Sequence, residues 1–120
     1  MINQNDILDC LFCNIAKGSI PAKRLGESVN SIAFNDINPQ APVHILIIPK
    51  IHIASNLDLN ENNIHFLSDM ALLANRISIE LCLHRNGYRW IMNTGEDGGQ
   101  TVHHMHLHLL AGRKLSWPPG

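Results

Sequence analysis

The sequence predicts a domain of mixed helix and strand, and three stretches carry that expectation. Near the C-terminus, His104, His106 and His108 stand two apart, with Met105, Leu107, Leu109 and Leu110 as the apolar residues between and after them. A strand points alternate side chains to opposite faces, so a strand over 101–110 puts the imidazoles on one side and the apolar set on the other. As a helix, turning about 100° per residue, the same rings would fan out around the axis. Upstream, the stretch from His44 to Pro49 is almost continuously apolar, as in a buried strand, and Pro49 stops it. Between them, Ile64, Leu67, Ala71, Ala74, Ile77 and Leu81 recur at the spacing of a long amphipathic helix.

The other elements follow in chain order. Ile7, Leu8, Leu11, Phe12 and Ile15 predict a short helix over 7–17, which Gly18 can end. It carries Cys10-Leu11-Phe12-Cys13, which reads as a redox pair, half a zinc site, or two small apolar residues. Pro21 then forces extended chain. Residues 27–37 look like a hairpin, with Val29 and Ile32-Ala33-Phe34 in its strands and Asn30-Ser31 at its turn. Asp36 follows where the chain leaves the sheet. It is either a turn residue bonding its own backbone or a carboxylate at a pocket mouth, able to accept a ribose hydroxyl. His44 opens the buried strand and His52 lies just past its end. Asp58 with Glu61 resembles a capping box for the long helix, and Asn86-Gly87 supplies a left-handed stop. His65 and His84 are expected on its exposed side. Residues 88–92 return as a strand ending in Asn93-Thr94-Gly95.

The loop Gly95-Glu96-Asp97-Gly98-Gly99-Gln100-Thr101 feeds straight into the histidine strand. Its glycines let backbone N–H groups approach an anion closely. Asn93, Gln100 and Thr101 add side-chain donors suited to a phosphate. The tail ends in Trp117-Pro118-Pro119-Gly120, too short to fold alone, and is expected to pack on another surface such as a second subunit. Trp117 counts among the candidate substrate contacts.

Whole-chain properties bound the function. The 120 residues suffice for one domain, 1–120, with a real core. A net charge of −1 advertises no basic face for nucleic acid. The longest aliphatic run falls far short of the ~20 residues of a membrane span, and no partnership with a membrane is expected. The N-terminus lacks the basic and apolar regions of a secretion signal. Cys10, Cys13 and Cys82 make no disulfide framework, so a reducing cytoplasm fits best. Three imidazoles side by side disfavour charging more than one of them, which suits chemistry or metal binding better than packing. His103 faces the other way and is expected to be structural.

These residues resemble the histidine-triad (HIT) family, and within it the HINT branch of nucleoside phosphoramidases. The family motif is His-φ-His-φ-His-φ-φ with φ apolar, complete here over residues 104–110. The similarity extends to Ile20-Pro21-Ala22-Lys23, to residues 36–44, to Ile48-Pro49-Lys50, to Gly98-Gly99-Gln100 and to the final Trp-Pro-Pro-Gly. The resemblance implies an α+β, HIT-like fold, with an antiparallel sheet of about five strands, a short N-terminal helix and one long helix. It implies a homodimer that joins sheets and buries the long helices together. The implied substrate is a purine nucleoside 5′-phosphoramidate, such as that of adenosine.

By the same resemblance, His106 attacks phosphorus and forms a nucleotidyl-histidine, and a neutral imidazole can do so near pH 7 without a metal. His108 would bond the phosphate oxygens and help move the proton, while His104 and His44 would form a relay that sets the tautomer of the nucleophile. Asn93, Gly99 and Thr101 would hold the phosphate, with Gln100 beside them. Asp36 would hold the ribose, and Ile37 and Phe12 would wall the purine. No cofactor is required for this chemistry. Many HINT proteins lack the cysteine pair and the histidine at 52. Their presence here is similar to bacterial HIT relatives with structural zinc, where Cys10, Cys13, His52 and His104 would be the four ligands and His104 no part of a relay. The cysteines can instead be plain packing. A nucleotide- or zinc-binding regulatory module and a dinucleoside polyphosphate hydrolase are the alternative functions.

Overall fold

The computed structural model describes residues 9–120. Ile7 and Leu8, expected in the first helix, lie outside the described residues. Helix α1 spans Leu11–Ala16 and α2 spans Ile64–Glu80. The strands are β1 (Arg24–Glu27), β2 (Ser31–Asn35), β3 (Val43–Pro49), β4 (Arg89–Ile91) and β5 (Leu107–Ala111). They form one sheet in the order β1-β2-β3-β5-β4, and every neighbouring pair is antiparallel. The α+β architecture with a five-stranded sheet and one long helix is therefore present.

Side-chain alternation splits the core into two layers. On one face Ala33, Ile45, Ile47, Leu107 and Leu109 pack with Met70, Leu73, Ala74 and Ile77 of α2. On the other, Ile32, Phe34, Leu46 and Ile48 pack with Phe12, Cys13 and Ile15 of α1. The register sets His44 opposite Leu110 and Leu46 opposite His108. Because residues two apart share a face, His44 and His108 become diagonal neighbours on the α1 side.

Several boundaries differ from the sequence reading. α1 begins at Leu11, because the Cys10 sulfur caps it by accepting from the Cys13 N–H. β1 replaces the expected strand around Val29, which is a turn residue with 80% of its surface exposed. Asp58 caps no long helix. It completes a capping box with Ser55 on the 3₁₀ turn Asn56–Asp58, and Asn63 precedes α2. The stop comes at Cys82, which adopts left-handed φ (59°), well before Gly87. The buried stripe of α2 runs Met70, Leu73, Ala74, Ile77 and Ser78, while Ile64 and Leu81 are exposed. β5 starts only at Leu107, so His104 and His106 precede the strand. The Met105 N–H bonds the Ile53 carbonyl at 2.6 Å and draws that segment away from sheet pairing. The facing survives this: Met105 joins the α2 layer, and the three triad rings lie on the α1 side. Leu110, paired with His44, falls on the histidine side rather than with Leu109.

Candidate active site

A cavity of about 670 Å³ opens on the α1 side of the sheet, within the size range of small-molecule sites. Its apolar wall comes from Phe12 and Ile15 of α1 and from Phe34 and Leu46 of the sheet. Asp36 and Ile37, from the loop after β2, line it too, as do His44, Thr101, His106 and His108. Ile37 is fully exposed.

The histidine hydrogen bonds assign the ring protons. His106 Nδ1–H donates to the His104 carbonyl at 2.7 Å, which leaves the Nε2 lone pair free. The Gln40 backbone N–H donates to His44 Nδ1 at 3.0 Å, so the proton of His44 sits on Nε2. That Nε2–H donates to His108 Nδ1 at 2.9 Å, with Asp36 Oδ2 at 3.4 Å. His108 therefore carries its proton on Nε2, a buried nitrogen with no hydrogen-bond partner among the described residues. A buried donor left unpaired is costly unless a ligand satisfies it.

The same burial favours the neutral form of these rings. Burial, reinforced by His106 and His44, pushes His108 down to about 4, against the opposing pull of Asp36. Burial also lowers His44 and His106, and Asp36 again opposes it. The site thus offers one lone pair and one N–H donor on adjacent rings, whose centroids are 4.9 Å apart.

The relay differs from the expected one. His44 contacts His108, and the ring of His104 points away into a second cluster. There the Nδ1 of His104 lies 3.4 Å from both Cys10 Sγ and Cys13 Sγ, and Cys13 Sγ is 3.1 Å from His52 Nδ1. All four candidate ligand atoms lie within 4.8 Å of one another. Tetrahedral zinc, with Zn–S near 2.3 Å and Zn–N near 2.0 Å, needs S···N separations of about 3.5 Å. His104 Nε2–H donates to the Pro49 carbonyl at 2.9 Å, which leaves Nδ1 as the ligand atom; metal-bound histidines are commonly held this way. Burial, with the Cys10 sulfur beside it, pushes the Cys13 thiol up to about 12 in the bare protein. The donor set and its spacing fit a closed Cys₂His₂ site.

Gln100, Gly99, Asn93 and Trp117 fall outside the cavity lining. Gln100 is buried, and its Nε2 donates to the carbonyls of Ala54 and Val102 while its Oε1 accepts from Gly95. It ties the glycine loop together and has no donor to spare for a phosphate. Gly99 (φ +85°) runs beside Asn93, and a Cβ there would sit 3.8 Å from the Asn93 Nδ2. Trp117 is exposed and lies against Arg89, 5.9 Å from its ring centre. Asp36 fulfils its turn reading through Oδ1, which accepts from the Asn38 N–H, while Oδ2 faces His44. Gln40 was invisible to sequence reasoning because its backbone does the work.

The sequence and the fold are similar to those of known proteins. The chain is 46% identical over 112 residues to a HIT-like protein of Synechococcus elongatus, covering 93% of this chain and 97% of that one. It is 43% identical over 106 residues to a HIT-like protein of Buchnera aphidicola, covering 88% and 95%. A HIT family hydrolase from Legionella pneumophila superposes with a TM-score of 0.90 at 48% identity, over 93% of this chain and 100% of that chain. A histidine triad protein from Clostridium difficile gives 0.88 at 42% identity, over 97% of each. The HIT domain profile matches residues 17–115, and the chain belongs to the HIT family.

Proposed function

We propose that this protein is a hydrolase that cleaves the P–N bond of purine nucleoside 5′-phosphoramidates, through a nucleotidyl-histidine on His106. The observation that carries the reading is the pairing of tautomers: an Nε2 lone pair on His106 beside an Nε2–H on His108 that has no partner among the described residues. His106 Nε2 attacks phosphorus and forms an N–P bond. The substrate P–N bond breaks, and the departing amine takes the His108 proton. Water then attacks phosphorus, breaks the histidine–phosphorus bond and returns a proton to His108, releasing the nucleoside monophosphate. His44 and Asp36 hold His108 in the tautomer that can donate. Thr101, Asn93 and the Gly99 backbone hold the phosphate, Asp36 also takes the ribose hydroxyls, and Phe12 and Ile37 enclose the base. Similarity to the Legionella hydrolase supports the reaction class.

Cys10, Cys13, His52 and His104 would hold a structural zinc, which supplies folding energy and no chemistry at phosphorus. The chain acts as a homodimer, supported by the exposed Leu72 and Ile79 on α2, and Trp117 completes the site in that assembly. Among the described residues no helix is long and apolar enough to cross a membrane. Three free cysteines suit a reducing cytoplasm.

The test is a panel of adenosine and guanosine phosphoramidates and dinucleoside polyphosphates, run on wild type and His106→Ala. Labelled nucleotide should be trapped on wild type, and the variant should lose at least about 10³-fold in turnover. Faster cleavage of dinucleotides than of phosphoramidates would overturn the substrate class. An intact rate in His106→Ala would overturn the mechanism.

A further inference from the structure

His104 serves two sites at once. Its ring nitrogen stands 3.4 Å from each cysteine sulfur. Its carbonyl oxygen, on the same residue, holds the Nδ1–H of His106 at 2.7 Å. A shift of the ring therefore carries the acceptor that aims the nucleophile. A second link runs through α1. Phe12 lies between the two cysteines, packs edge-on against His106 with ring centres 5.1 Å apart, and lines the cavity with Leu11 and Ile15. With six residues, α1 is far below the ~12–15 at which an isolated helix is even marginal in water. Its seat depends on anchors, and its own N-cap is a candidate metal ligand, Cys10.

We infer that Cys10, Cys13, His52 and the ring of His104 are positioning residues for the nucleophile and the cavity wall: a zinc ion held by them pins α1, the loop after β3 and residue 104 to one point, and so fixes the aim of His106 and the place of Phe12. The inference rests on His106 as nucleophile and on the Cys₂His₂ set as a metal site. It adds that metal occupancy governs the competence of the phosphate site. Without the ion, thiols, which are weak hydrogen-bonding groups, are left to hold these segments. The His104 carbonyl then has freedom to leave the His106 N–H, and the ring can exchange tautomers.

The test uses the full chain, stripped with a chelator and titrated with Zn²⁺, together with His52→Ala and His52→Cys. His52→Cys keeps four ligands as a Cys₃His site. The first readout needs no substrate: long-range ¹H–¹⁵N spectra of the His106 ring, where a fixed tautomer keeps the two nitrogens well separated. The second is the rate at which labelled nucleotide appears on His106, with its KM. Zinc should bind stoichiometrically and separate the two nitrogen signals. Without it the signals should converge, the trapping rate fall roughly 10–100-fold and KM rise. His52→Cys should recover both with zinc, and His52→Ala should not. Unchanged His106 nitrogen signals in folded, zinc-free chain would overturn the inference, as would failure to bind zinc. Should the stripped chain unfold, zinc-loaded His104→Asn, in which Cys10, Cys13 and His52 remain as ligands and residue 104 is released from the metal, provides the comparison, and wild-type His106 signals and rate there overturn it equally. Failure of the substrate reading shows separately, as absence of trapped nucleotide on zinc-loaded protein whose nitrogen signals still follow the metal.

Discussion

Asp36 illustrates how much rests on single atoms at this site. One carboxylate oxygen closes the turn on Asn38, and the other lies 3.4 Å from His44 Nε2. Its charge opposes the burial that lowers His44 and His108. The groups facing His108 are His106, His44 and Asp36, and only Asp36 favours its protonation. The mechanism needs a neutral relay, so activity should fall only as pH drops through the depressed pKa values, below the ordinary histidine range. Asp36→Asn removes the one charge that raises them. Its acid limb in kcat/KM should therefore move to lower pH, while KM rises through loss of the proposed ribose contact. A limb that stays put or moves upward would show that Asp36 does not tune these rings. The triad, Asp36 and the cysteine pair stood out in the sequence as residue types at suggestive spacing, while the roles of His44, His52 and the ring of His104 came only with the family resemblance. Their partnerships were not legible. That His44 serves His108, and that a carbonyl rather than a ring orients His106, depends on strand register and backbone direction, neither of which spacing encodes.

Among the elements, the glycine loop shows how a candidate site residue turns out to act through shape. Gln100 is 8% exposed, and its amide makes three hydrogen bonds, to Gly95, Ala54 and Val102. Gln100→Ala leaves those backbone groups unpaired in partly buried surroundings, and a single such group costs about 1–3 kcal/mol. Stability measured by urea denaturation should fall by at least that much, and phosphate affinity should weaken because the loop loses its brace. A variant as stable as wild type would contradict the bracing role. The sequence marked this loop by its glycines but could not separate a donor aimed inward from one aimed at solvent. Elements with strong apolar patterns were located: β3 falls within one residue of its expected place, and α2 lies inside the stretch expected for it but starts later than Asp58 and ends earlier than Gly87. β1 was missed because Arg-Leu-Gly-Glu carries little strand character. Its glycine is there because α2 presses on it, and a Cβ would meet Ile77 at 3.0 Å. The α2 stripe was misplaced for a related reason. The helix has apolar residues on two sides, and buried Ser78 satisfies its hydroxyl on the Ala74 carbonyl, which hydropathy alone does not reveal.

At the scale of the molecule, that second apolar side of α2 calls for a partner. Helical geometry places Ile64, Leu72 and Ile79 within about 80° of one another, on the side opposite the buried stripe. All three are exposed, at 45%, 69% and 62%. Ala71 and the small polar Ser68 lie close to the same face, so another helix could approach closely. β4 is an edge strand of only three residues, with Trp90 40% exposed. Unpaired edges invite pairing with another chain. A second copy that packs α2 on α2 would bury this stripe and bring the two β4 edges together by the same symmetry. Wild type should therefore show about twice the chain mass in sedimentation equilibrium. Leu72→Glu with Ile79→Glu would bury like charges in that interface and should give the single-chain mass, with the fold retained by circular dichroism. The His106 ring and its bonding to His104 lie on the opposite face of the sheet, so the monomeric variant should keep the His106 nitrogen signals of wild type. If Trp117 completes the site only within the assembly, that variant should show raised KM with the nucleophile intact. Wild type sedimenting as a single chain at working concentration would remove the dimer. Unchanged KM in a proven monomer would remove Trp117 from the site.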